Sequence, residues 1–126
     1  MDDLTKKDMR GALEAIASMI SRSEKAREKF AQGTSWHSLQ SNRIKALHVA
    51  SLLISRELEE SNAEPEFAKE DFEKALAPIT SLVSKCERAQ KNLAQGTWQY
   101  KMLDDNIKAL NVALLLLKKQ LDKSSG

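Results

Sequence analysis

The chain has 126 residues, of which 41% are hydrophobic and 30% are charged, and its formal net charge is +2. This composition excludes an intrinsically disordered chain, and the length suits one domain with a hydrophobic core of its own. Only four glycines and two prolines occur, which argues against loop-rich and all-β folds. The sequence therefore predicts a single all-α domain over residues 1–126.

The N-terminal segment Met1–Lys7 is acidic and then polar, and no hydrophobic segment follows it. This pattern argues against a signal peptide. The longest apolar run, Val112–Leu117, is too short to cross a bilayer. A single cysteine, Cys86, cannot form an intramolecular disulfide, which favours an intracellular protein. We therefore predict a cytoplasmic protein without a membrane segment.

An internal repeat organises the chain. A shift of 63 residues aligns the sequence with itself without a gap, and 23 of 59 aligned positions are identical. The first copy covers residues 3–61 and the second covers residues 66–124. Each copy contains Ala-Gln-Gly-Thr, at Ala31–Thr34 and Ala94–Thr97, where Gly can end one helix and Thr can cap the next. Each copy is therefore predicted to form an αα-hairpin.

The hairpins predict four helices with apolar residues in steps of three and four, which is the pattern of a bundle seam. Their predicted bounds are Thr5–Gln32, Ser35–Glu60, Glu66–Gln95 and Trp98–Lys123. Glu60–Pro65 is the predicted linker between the copies. Pro78 removes a hydrogen bond inside the third helix, which predicts a kink or break. Two packed hairpins predict a four-helix bundle in up-down-up-down order.

The second and fourth predicted helices carry more apolar surface than one seam requires. The additional residues are Val49, Leu52, Leu53, Val112, Leu115 and Leu116. One interpretation is that they contact flanking helices of the same bundle. The other is an exposed strip that pairs with a second copy in a two-fold homodimer.

Charge is unevenly distributed between the turns and the rest of the chain. Arg22–Lys45 carries +4 and Lys85–Lys108 carries +2, so the turn end holds +6 and the remaining residues hold −4. The candidate binding residues at this end are Trp36, His37, Arg43, Lys45, Trp98, Tyr100, Lys101 and Lys108. They predict a site for an acidic protein segment or a small anion. The alternative is structural, because bases complement helix C-termini and aromatic side chains close bundle ends. The modest positive charge argues against nucleic acid.

The sequence contains no recognisable catalytic, cofactor or metal motif. Neither His37 nor His48 follows a glutamate by three residues, as a di-metal bundle site requires. Cys86 is expected to be a small buried thiol without a base at helical spacing. The acids of Glu66–Glu73 lie on one helix without a matched set elsewhere, which predicts a solvated helix start.

These patterns favour a non-enzymatic protein-interaction or scaffold module that binds its partner through the basic, aromatic turn end. One alternative is an enzyme with an unconventional pocket between the hairpins. Convergent polar side chains inside the bundle would favour that alternative, and a dry aliphatic core would count against it. A further alternative is weak binding of nucleic acid or an anion at the turn end, with affinity that falls as salt is added.

Overall fold

The computed structural model describes residues 5–59 and 67–125, and its secondary structure is helical. α1 spans Lys6–Glu28, α2 spans Ser35–Leu58, α3 spans Lys69–Lys91 and α4 spans Trp98–Ser125. The four helices pack into one bundle, so the predicted all-α, four-helix class is confirmed. The predicted linker 60–65 and the predicted helix ends at Glu60 and Glu66 lie outside the described residues.

α1 and α3 end earlier than the sequence predicted, at Glu28 and Lys91 instead of Gln32 and Gln95. After Glu28 the backbone tightens, and the Lys29 and Phe30 amides donate to carbonyls three residues back at 3.2 and 3.1 Å. Bonds of this kind satisfy the last carbonyls of a helix but do not propagate it. The apolar periodicity that continues to Phe30 therefore overestimated the length of the helix.

Each hairpin turn is held by one glycine and one threonine. Gly33 and Gly96 adopt φ values of +87° and +93°, in the left-handed region that glycine enters without steric cost. Thr34 Oγ1 donates to the Ala31 carbonyl at 2.8 Å and accepts from the His37 amide at 3.2 Å. Thr97 makes the same pair of bonds in the second copy. The two turns therefore use the same local chemistry to end one helix and begin the next.

α3 passes through Pro78 without interruption, so the predicted break is wrong. Proline removes one donor, but Ala75, three residues before it, and Ile79, directly after it, are buried in the core. One lost hydrogen bond is therefore offset by the apolar contacts of the same turn. A bend at this position remains a prediction.

The pattern of helix contacts explains the extra apolar surface on α2 and α4. α1 contacts α2 and α4, and α3 contacts the same two helices, whereas α1 and α3 do not approach each other. α2 and α4 also contact each other across the bundle, so each has three neighbours. A helix with three neighbours needs a wider apolar arc than one with two.

An exposed strip through all six predicted interface residues is therefore wrong. Val49, Leu53 and Leu116 are buried within the bundle. Leu52 and Val112 are half-buried, and Leu115, with 43% of its surface exposed, is the one exposed residue of the six. The interpretation that these residues contact flanking helices holds for the buried three. Homodimer formation remains a prediction.

Candidate functional site

A cavity of about 270 Å³ lies between the two hairpins. All four helices contribute to its wall, and each contributes from the half that lies nearest a glycine turn. The residues around both turns therefore come together at one end of the bundle, and these contacts support the predicted up-down-up-down order. The volume is near the lower end of the range for small-molecule sites.

The lining residues pair with each other under the 63-residue repeat. The six pairs are Met19 and Leu82, Arg22 and Lys85, Ser23 and Cys86, Ala26 and Ala89, Gln40 and Leu103, and Arg43 and Asn106. This set of residues draws equally on the two copies, with six positions from each. The cavity therefore belongs to the packing of one hairpin against the other, and neither hairpin forms it alone.

The buried polar side chains of the described residues all line this cavity. They are Gln40 and Arg43 of α2, each 9% exposed, and Asn106 of α4, which is 4% exposed. The rest of the buried core is apolar. Burial of polar groups away from solvent costs free energy unless they are hydrogen-bonded, so their concentration at one cavity indicates a specific role.

Arg43 is the least satisfied of these side chains. Its Nε atom is out of contact with solvent and has no hydrogen-bond acceptor among the described residues. Neither Asp nor Glu occurs among the residues that line the cavity, and Arg43 forms no ion pair within the described part of the chain. A buried guanidinium of this kind normally has a carboxylate or phosphate partner.

Two further cations reach the cavity from its exposed side. Arg22 of α1 and Lys85 of α3 line the wall and are exposed to solvent, so they lie at its mouth. Arg22 Nη1 lies 3.3 Å from the thioether sulfur of Met102, a weak acceptor. Neither residue pairs with an acid in the described ranges. The wall therefore carries three positive charges and no negative one.

Cys86 is buried in the same wall, as the sequence predicted for a small thiol. Burial raises the pKa of Cys86, and the positive charges of Arg22, Lys85 and Arg43 oppose this only in part. The thiol is therefore protonated at neutral pH, whereas a nucleophilic cysteine requires a lowered pKa. Arg22, Arg43 and Lys85 line the same wall as the thiol and come from three different helices.

The predicted basic residues are not gathered into one site. Arg43 lies in the cavity, but Lys45 pairs with Asp71 of α3 at 2.8 Å. Lys101 pairs with Asp105 at 2.8 Å, and Lys108 pairs with Asp104 at 3.1 Å. The charge count along the sequence includes Asp104 and Asp105, but a net charge does not show that acids four residues away on the same helix pair with two of the lysines.

The predicted aromatic residues also lie apart. Trp36 is 61% exposed and stacks on Phe30 of the first turn, with ring centroids 6.1 Å apart. Trp98 is 70% exposed and lies at one end of an open groove between α1 and α4. His37 and Tyr100 are half-buried. None of the four aromatic residues lines the cavity.

The groove between α1 and α4 is broad and open, with a volume of about 1120 Å³. Its lining combines small residues of α1, among them Gly11 and Ala15, with exposed Leu115 of α4. Lys74 and Pro78 occupy the positions in the second copy that match Gly11 and Ala15. The groove therefore has mixed small, charged and apolar walls, and of the buried polar side chains that line the cavity it shares only Asn106 among the described residues.

Sequence reasoning missed Arg22, Gln40, Lys85 and Asn106 as site residues. The sequence does contain a pattern that indicates them. On the face of α2 that packs into the core, here called the core stripe, buried positions recur at 40, 43, 47, 50 and 54. The first two positions of this stripe carry Gln and Arg instead of aliphatic residues. The same stripe in α4 includes Asn106 at the position that matches Arg43. Polar residues in register with a core stripe on both copies indicate a polar cavity between the helices.

Residues 5–59 and 67–125 contain neither a candidate metal cluster nor a helix that could span a membrane. No group of three or more His, Cys, Asp or Glu side chains that could hold a metal ion occurs in residues 5–59 and 67–125. In the predicted acidic helix start, Glu70 pairs with Lys74 at 2.7 Å and Asp71 pairs with Lys45, whereas Glu66 lies outside the described residues. None of the helices in the described ranges is long and apolar enough to span a bilayer.

Comparison with models of known protein families, with curated proteins and with solved structures finds no match to this chain.

Proposed function

We propose that the protein binds a small anion in the cavity between its two hairpins. The observation that supports this most strongly is Arg43, whose buried Nε has no acceptor in the described chain and whose side chain lines a cavity without an acid. An anion in the cavity would supply the missing acceptor and the missing negative charge together. Hydrogen bonds to a buried guanidinium are among the stronger ones in proteins, since one partner is ionised.

Three groups of side chains would then contribute to binding. Arg43 would provide charge and directed N–H donors, and the amides of Gln40 and Asn106 would orient the ligand beside it. Arg22 and Lys85 at the mouth would attract the anion from solution, an effect that weakens as ionic strength rises. These groups come from all four helices, so a bound ligand would hold the two hairpins together.

Binding without catalysis agrees better with the chemistry of the cavity than an enzyme does. General acid–base catalysis usually employs an imidazole or a carboxyl group, and none lines this wall. Its thiol is held in the protonated form by burial. The convergence of polar side chains nevertheless favours a pocket between the hairpins over a purely structural core. A cytoplasmic location and a protein-interaction role through exposed Trp36 and Trp98 remain predictions from the sequence.

The proposal is tested by thermal unfolding in sulfate and in chloride at equal ionic strength. A ligand that binds only the folded state stabilises it by about 2.7 kcal/mol at 100 times its dissociation constant, so sulfate should raise the midpoint more than chloride does. Arg43→Met should abolish the difference. Arg56→Met is the matched control, because Arg56 Nε is also buried without an acceptor but does not line the cavity.

The expected result is a sulfate-specific stabilisation that Arg56→Met retains and Arg43→Met loses. Equal unfolding midpoints of the wild type in sulfate and in chloride would count against anion binding in the cavity. Equal retention of the sulfate stabilisation in both variants would show that the salt acts on the bundle as a whole.

A further inference from the structure

The positive charge of the cavity lies at two depths. Arg43 is nine-tenths buried within the bundle, whereas Arg22 and Lys85 are exposed at the mouth. Arg22 and Lys85 also occupy matching positions in the two copies, so they approach the mouth from α1 and from α3. The cavity therefore has one inner cation on α2 and a pair of outer cations on α1 and α3.

All three cations line the same cavity of about 270 Å³, and the thiol of Cys86 lies in the same wall. Burial raises the pKa of Cys86, and the positive charges of Arg22, Lys85 and Arg43 each oppose this effect. The neighbouring Glu87 is exposed and does not line the cavity. A ligand near Cys86 would consequently meet the inner cation and the outer pair at the same time.

A ligand with a single negative charge would compensate only one of these three cations. We infer that the cavity selects dianions over monoanions of the same shape, with one negative charge at Arg43 and a second directed toward Arg22 and Lys85. This inference rests on the proposed function and names the class of ligand that the same site takes. Two ligand chemistries satisfy it: a compact oxyanion such as a sulfate or phosphate group, and a short dicarboxylate.

Matched pairs of small molecules separate charge from shape. Methanesulfonate keeps the tetrahedral group of sulfate but carries one charge, and succinamate keeps the length of succinate but carries one charge. At about pH 7.5 both carboxyl groups of succinate are ionised. Isothermal titration calorimetry at constant ionic strength would give the dissociation constant of each probe for the full chain.

We expect the dianion of at least one pair to bind about tenfold more tightly than its monoanion, because each exposed charge pair contributes a few-fold to affinity. If the ratio of dianion to monoanion affinity is larger for sulfate than for succinate, the preferred ligand carries both negative charges on one tetrahedral group. If the ratio is larger for succinate, the preferred ligand carries them on two separate carboxylates. Equal affinity of dianion and monoanion in both pairs would overturn the inference and leave anion binding intact. Absence of binding by all four probes would overturn the proposed function itself.

The role of the outer pair is tested separately by Arg22→Gln combined with Lys85→Gln. Both residues are exposed, so the fold should tolerate the change. The tenfold preference should fall to about twofold, because removal of two cations weakens the binding of a dianion more than that of a monoanion. The matched control combines Lys25→Gln with Arg88→Gln, since these residues are also exposed, related by the repeat and outside the cavity. An equal loss of preference in the control would show that net charge, and not the mouth of the cavity, determines selectivity.

Discussion

Replacement of Arg43 by methionine should stabilise the ligand-free protein. Arg43 is 9% exposed, its Nε has no acceptor in the described chain, and no acid lines the cavity beside it. A buried unsatisfied donor costs about 1–3 kcal/mol. Buried charges replaced by well-packed apolar side chains often leave stability unchanged or raise it by about 1–4 kcal/mol. Methionine keeps the unbranched shape of the arginine stem and removes both costs.

The expected gain is about 1–2 kcal/mol, because part of the arginine head can still be solvated through the mouth of the cavity. For a domain of this length that gain corresponds to a rise in the unfolding midpoint of about 4–8 °C. Urea unfolding followed by circular dichroism gives the free energy directly, provided that the slope with denaturant is unchanged. The control is Arg22→Met, which removes an exposed arginine from the same wall and should change stability by less than about 0.5 kcal/mol.

A loss of about 1 kcal/mol or more in Arg43→Met would refute this reasoning. It would mean that the arginine is satisfied by the bundle and that its burial is structural. A gain in stability together with a loss of sulfate binding would show that the cavity keeps a costly residue for function. Such an exchange of stability for activity is common at binding sites.

Three further outcomes follow from the turns, the ion pairs and the thiol. Gly33→Ala and Gly96→Ala should each destabilise the bundle by about 1–2 kcal/mol, because alanine is strained at the positive φ values of these turns. If urea unfolding shows no loss of stability for either variant, the turn geometry is contradicted. Hydrogen bonds from Lys45 and from the Ala68 amide lower the pKa of Asp71 in the folded state, so its contribution to stability is present above the pKa of the unfolded chain and is lost as pH falls through the folded pKa. Asp71→Asn should therefore flatten the acid limb of a stability profile, and an unchanged limb would contradict this. Iodoacetamide should modify Cys86 slowly in the folded protein, and the rate, measured by mass spectrometry, should rise with pH. Sulfate should lower the rate further. A rate in the folded protein equal to the rate in urea would contradict the burial of Cys86.

The fold was largely predictable from the sequence because the same information occurs twice. The 63-residue shift relates both ends of α1 to those of α3, since Lys6 matches Lys69 and Glu28 matches Lys91, and it relates the starts of α2 and α4 at Ser35 and Trp98. Glycine and threonine mark both turns with chemistry that acts over a few residues. The ends of α1 and α3 were missed by four residues because apolar periodicity continues into a turn that folds back on the helix.

The candidate site was less predictable, because it depends on contacts between distant residues. Lys45 was grouped with the turn end, but its charge is compensated by Asp71 of the next helix. The aromatic residues near the turns lie on the surface, whereas the polar residues of the cavity lie on the core stripe of α2 and α4. Periodicity identifies a core face but not the height at which four helices enclose a cavity. That height depends on how the two hairpins pack.

The most direct test of the account is the Nε–H signal of Arg43 in a ¹H–¹⁵N correlation spectrum during titration with sodium sulfate at constant ionic strength. The signal is assigned by its absence in Arg43→Met, and the signal of Arg56 serves as the internal reference. If the cavity binds the anion, the Arg43 signal shifts downfield and saturates, while the Arg56 signal stays in place. An Arg43 signal that does not move, or that only follows Arg56 without saturation, would contradict an anion site between the hairpins.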